Sequence, residues 1–113
     1  MTPSDPGGFG CLRHDIGAGV VRVELIGELG ASEAATLDRF LGSVRADHAF
    51  AVIDLDELTA IDRAGAHVLE AWAAREGADG RRPVAYNARP AVSERLRRLG
   101  LQREMQLVDT RLP

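Results

Sequence analysis

The pattern of apolar and polar positions divides the chain into short segments with different periods. From Val20 to Ile26, Val21, Val23 and Leu25 alternate with Arg22 and Glu24, the period of a strand with one buried face. Cys11 to Ile16 precedes it across Gly17-Ala18-Gly19, a spacer able to supply positive φ, so the two segments predict a β-hairpin. Beyond the Gly27-Glu28-Leu29-Gly30 turn the period changes. Leu37, Phe40, Leu41 and Val44 follow the i, i+3, i+4, i+7 spacing of an amphipathic helix, with Ser32 placed to cap it. Phe50 to Leu55 is a continuous apolar run, as in a central parallel strand.

A second helix is expected from Asp62 to the vicinity of Glu76, burying Gly65, Val68, Leu69 and Trp72 and ending at Gly77. Pro83 to Tyr86 reads as a brief strand. Pro90 pre-sets a third helix with Val92, Leu96 and Leu99 inward and Arg95, Arg97 and Arg98 outward. Gly100 stops that helix, Leu101 folds back onto it, and Gln106 to Val108 forms the last strand. Strands that alternate with helices predict an α/β fold: a mixed sheet of about four to five strands with an N-terminal antiparallel hairpin, and three to four helices.

Residues 1–10 contain two prolines and three glycines with almost nothing apolar, which predicts a flexible lead-in. Residues 11–113 then form a single domain, since a chain of 113 residues has no room for a second. Fourteen basic against seventeen acidic residues give a net charge of −3, the wrong balance for neutralising phosphates. Arg81-Arg82 and Arg95-Arg97-Arg98 lack interleaved aromatics for base stacking and read as solvated faces, so nucleic acid is not an expected partner. Cys11, the one cysteine, has no disulfide partner and fits a reducing cytoplasm. The N-terminus has no basic, apolar leader, and no apolar run reaches the ~18 residues that span a bilayer.

Catalytic signatures are missing from the string. His14, His48 and His67 have no metal-ligand spacing and read as surface residues; no serine has an activating neighbour; Gly8-Phe9-Gly10 precedes a strand instead of following one. Neither an enzyme nor a cofactor or metal is expected. Asp54, Asp56, Glu57 and Asp62 gather at the C-terminal end of the central strand, where open α/β sheets place their sites. A metal or acid–base site is one reading of them. The favoured reading has Asp62 capping the second helix and the others as solvated loop charges.

Gly27-Glu28-Leu29, the capped helix, Ala51-Val-Ile-Asp-Leu55, Leu58-Thr-Ala-Ile-Asp62-Arg-Ala-Gly65, Pro90 and Leu99-Gly100-Leu101 together resemble the STAS domain family, and within it the anti-sigma factor antagonists of SpoIIAA type. The resemblance covers Val20 to Asp109. It implies the STAS fold and a cytoplasmic regulatory module, monomer or weak dimer, that binds an ATP-using, serine-kinase-type anti-sigma factor and so frees the sigma factor. By the same resemblance the docking surface comprises Gly27, Glu28, Leu29, Thr59, Asp62, Arg63, Ala64, Gly65 and His67. Asp62 and Gly65 match the ends of the family's Asp-Ser-Ser/Thr/Ala-Gly motif, and Arg63 stands where the phosphorylated serine would be. Neither Arg63 nor Ala64 carries a hydroxyl, and Gly30 replaces the acidic residue that commonly follows Gly-Glu-Leu. Arg63 either serves a function or marks a drifted site, extending into solvent or pairing with Asp62 or Glu28. Two other readings are a STAS scaffold or adaptor in a different complex, and a small-ligand sensor for a nucleotide or lipid near Asp54, Thr59 and Asp62.

Overall fold

The computed structural model describes residues 8–44 and 48–108. The expectation for residues 1–7 lies outside that range, as does the chain beyond 108. Six strands and three α-helices follow in the order β1 (Gly10–Gly17), β2 (Val20–Leu29), α1 (Ala34–Val44), β3 (Phe50–Asp54), β4 (Leu58–Ile61), α2 (Arg63–Ala78), β5 (Val84–Tyr86), α3 (Pro90–Arg98) and β6 (Gln106–Leu107). Short 3-10 turns at Ala31–Glu33 and Leu101–Arg103 precede α1 and follow α3.

The sheet runs β1-β2-β3-β5-β6, with β1 antiparallel to β2 and the other neighbours parallel. The hairpin and α/β class are as the sequence predicts, but the strand count is six, not four to five. The added strand is β4, which pairs in parallel with the second half of β2 while β3 pairs with the first half. Its inner residues Thr59 and Ala60 are exposed and its outer residues Leu58 and Ile61 buried, so it shows no strand alternation.

Val21, Val23 and Leu25 of β2 and Ala51 and Ile53 of β3 point into one apolar cluster with Leu37 and Leu41 of α1, Leu69 and Trp72 of α2, and Leu96 of α3. Each fully buried side chain of this size contributes about 1.5–3 kcal/mol relative to exposure. Leu101, expected to fold back beneath α3, is buried at 1% exposure, and Gly100 turns the chain at φ +87°. Val68 and Leu99, expected inward, are half-buried, and Arg97, expected outward, reaches the Leu107 carbonyl at 3.3 Å.

Two helix ends differ from expectation. Ser32 does not cap α1: it sits exposed within the 3-10 turn, where the Gly30 N–H donates to Glu33 Oε1 at 2.9 Å. Gly77 does not end α2, which continues to Ala78; Gly80 at φ +81° does, with the Arg81 N–H donating to the Glu76 carbonyl at 2.9 Å in a Schellman turn. Gly77 and Gly42 of α1 are therefore exposed glycines in helix interiors, and an added Cβ at either meets nothing within 4 Å. Gly42→Ala and Gly77→Ala should each stabilise the fold by about 0.5–1 kcal/mol, read as additive rises in the melting temperature.

His48 also departs from the surface reading. Its side chain is 1% exposed, with Nδ1 2.9 Å from the Val44 carbonyl and Nε2 2.6 Å from Glu76 Oε1. Arg81, expected to be solvated, donates to the same Glu76 carboxylate at 3.2 and 3.3 Å. Half of this contact was legible in the sequence: Glu76 continues the buried Gly65, Leu69, Trp72 stripe of α2, while nothing around His48 marks it as buried.

Cys11 is half-buried in β1, and burial pushes its thiol up to about 12. The thiolate needed for reaction is then scarce at neutral pH. A disulfide reagent should label Cys11 slowly in the native protein and fast in denaturant, and equal rates would contradict this placement.

Candidate functional site

Two stretches distant in sequence meet where β2 ends: Gly27–Leu29, and the run from β4 through Asp62 into the start of α2. Gly27 pairs with Leu58, Glu28 with Ala60 and Leu29 with Ile61, so a bulge leaves Thr59 without a ladder partner. The Thr59 hydroxyl donates instead to the Gly27 carbonyl at 3.1 Å. Gly27 holds φ +94°, and a Cβ there would run into the Gly8 carbonyl, so both backbone conformation and close approach require glycine.

Asp62 ties the two stretches together. Its N–H donates to the Leu29 carbonyl at 3.0 Å, Oδ1 accepts the Gly65 N–H at 3.0 Å, and Oδ2 accepts the Ala31 N–H at 3.0 Å. The first carboxylate oxygen is the N-cap of α2, as the sequence predicts; the second caps the 3-10 turn leading into α1. One carboxylate thus satisfies orphan donors at two helix starts, each with a positive dipole end. Gly30 leaves room for this, since a Cβ there would stand 3.3 Å from both Asp62 Oδ2 and Glu33 Oε1. The second bond was not legible in the sequence, because it joins residues 31 positions apart.

Of the nine residues named from the sequence, Glu28, Thr59, Arg63 and His67 are exposed. Gly27, Asp62 and Ala64 are half-buried, while Leu29 and Gly65 are buried and act on this surface by positioning it. A Cβ at Gly65 would lie 2.5 Å from Leu29 Cγ and 3.0 Å from the Leu29 carbonyl, so α2 approaches β2 as closely as glycine permits. Arg63 pairs with neither Asp62 nor Glu28: among the described residues, neither Arg63 nor His67 has a hydrogen-bond or ion-pair partner. Arg63 and His67 stand one turn apart on the same helix face.

Of the other carboxylate residues of this edge, Glu57 is exposed and its backbone carbonyl accepts the Gly27 N–H at 3.0 Å. Asp54 Oδ1 accepts the Asp56 N–H at 3.0 Å, closing the turn after β3. Burial and the Asp54 charge raise the pKa of the nearby Tyr86 phenol. Among the described residues no group of three or more His, Cys, Asp or Glu side chains is arranged to hold a metal ion. No described helix is long and apolar enough to cross a membrane.

A forked, mixed sheet crossed by three helices, with a strand-end turn tied through one carboxylate to a helix start, defines a class of small α/β domain. Residues 12–109 match the family model described as Mlab, STAS domain, and the chain belongs to the STAS domain family. Its fold is that of the anti-sigma factor antagonists. An anti-sigma factor antagonist from Mycobacterium paratuberculosis superposes with a TM-score of 0.77 at 29% identity, covering 95% of this chain and 91% of that one. SpoIIAA in its unphosphorylated form superposes with a TM-score of 0.73 at 16% identity, covering 88% and 89%. Phosphorylated SpoIIAA from Bacillus gives 0.67 at 15% identity, covering 88% and 92%. No curated protein sequence matches the chain.

Proposed function

We propose that this chain is a regulatory protein-binding module: an anti-sigma factor antagonist that docks on a kinase-type anti-sigma factor and frees the sigma factor, without enzymatic activity of its own. The observation that supports this reading is the Asp62 junction, which ties the end of β2 to two helix starts and near which Glu28, Thr59, Arg63 and His67 are each exposed. Likeness to anti-sigma factor antagonists across nearly the whole chain supports the same class of partner. Contact with such a surface is enough to compete with a bound sigma factor, and no covalent step on this chain is needed.

Position 63 sets the regulation. Arginine offers no oxygen to a γ-phosphoryl group, and Ala64 beside it offers none either. The complex with an ATP-binding anti-sigma kinase therefore persists in the presence of ATP, where a serine at position 63 would end it. Mixing the protein with its cognate anti-sigma kinase and ATP should give a stable complex with no phosphate incorporated. Arg63→Ser should become phosphorylated and dissociate. Phosphate on Thr59 of the unaltered protein would overturn the unswitched part of the proposal. Failure of both forms to bind any anti-sigma kinase would overturn the docking itself in favour of an adaptor in another complex.

A further inference from the structure

Beside the proposed docking surface lies a groove of about 750 Å³ between α2 and the turn that follows α3. Ala64 and Val68 of α2 form its floor together with Leu99 and Leu101. Arg63 and His67, one helical turn apart on α2, also line it, neither with a partner among the described residues. Arg103 and Glu70 also line it, joined by a 3.2 Å ion pair that leaves little net charge where they stand. The uncompensated charge of the groove is therefore positive and sits with Arg63, joined by His67 when protonated, next to apolar surface. The volume falls within the ~300–1,000 Å³ typical of small-molecule sites.

We propose that this groove is a ligand site for an anionic amphiphile, a molecule with a carboxylate or phosphate head and an apolar body. The head is held by Arg63 and His67; the body lies over the half-buried Val68 and Leu99. Two physical features select this class. A guanidinium forms bidentate, charge-assisted bonds with either oxyanion, and an apolar floor rewards each methylene it covers. A neutral molecule gains no charge-assisted bond from Arg63, and a cation would be repelled. The site involves only this chain, so it stands or falls independently of any docking partner.

Titration of the isolated protein with hexanoate, octanoate and decanoate below their micellar concentrations, followed by amide NMR shifts, tests the site. Shifts should concentrate at residues 63–68 and 99–103, with affinity rising about fourfold per added methylene until the groove is filled. Decanol should bind at least tenfold more weakly than decanoate, and decyltrimethylammonium not measurably. Arg63→Gln, a substitution at an exposed position whose fold is checked by an unchanged amide spectrum away from the groove, should weaken decanoate about tenfold or more. Decyl phosphate in place of decanoate distinguishes the two heads, and binding of either supports the site. Equal affinity for decanol, shifts spread over other surfaces, or unchanged affinity in Arg63→Gln would each overturn it.

Discussion

Replacing Gly65 with valine is expected to destabilise the protein by about 2–3 kcal/mol, the upper part of the range for overpacking a close contact. The new Cβ would begin 2.5 Å from Leu29 Cγ and 3.0 Å from the Leu29 carbonyl, and neither can retreat. Leu29 is 1% exposed, and its carbonyl accepts the Asp62 N–H. The strain is relieved only if the first turn of α2 lifts from β2, which also breaks the Asp62–Gly65 cap. The melting temperature should fall by roughly 10–15 °C. Gly65→Ala meets the same contacts with fewer atoms and should lie between. A melting temperature for Gly65→Val equal to that of the unaltered protein would show that α2 does not need this close approach.

The second large effect concerns Glu76. Removing its carboxylate by Glu76→Ala takes the 2.6 Å contact away from the buried His48 Nε2, and Arg81 loses two bonds. Breaking a buried ion pair from one side typically costs about 3–5 kcal/mol. The lower figure applies here, because Arg81 is 20% exposed and keeps Asp79 at 3.1 Å. Replacing both partners, as in His48→Phe with Glu76→Met, should recover much of the loss, since apolar groups of similar volume need no partner. Chemical denaturation of the two variants measures this directly.

The same group gives the protein an acid limit. Burial pushes the Glu76 carboxyl upward, but hydrogen bonds from Arg81 and His48 and their charges outweigh it, holding the pKa below the ordinary 4.5. The unfolded chain therefore binds a proton more readily than the folded one. The contribution of Glu76 is complete above the unfolded value and is lost as pH falls through the folded value. Between pH 6 and pH 3 the unaltered protein should lose stability more steeply than Glu76→Gln, which has no proton to take up. Parallel curves would remove Glu76 from the acid response.

The periods of 2 and 3.6 residues were enough to read the hairpin and the three helices, and a continuous apolar run to read β3, because each of those elements buries a face of its own. β4 escaped because its two buried residues are its ends, and it exists only through pairing with β2. At the site, Asp62 as a cap was legible from local spacing, since the cap bond spans three residues. Its second bond to Ala31, the bulge at Thr59 and the buried position of Leu29 were not, for each depends on which strand lies beside β2. His48 failed for a related reason: the chain around it carries no apolar period, and its burial depends on Glu76, 28 residues away.

The forked pairing of β2 separates tolerance to change within one small domain. β1, β3, β5 and β6 form a ladder anchored on the first part of β2, and within the sheet β4 joins only at its last three residues. Substitutions in β4, the helix start and the turn after β2 can remodel the exposed surface while that ladder keeps its hydrogen bonds. A lineage can then change what the surface recognises without redesigning the sheet beneath it, provided Asp62 and the two glycines at 27 and 65 are kept.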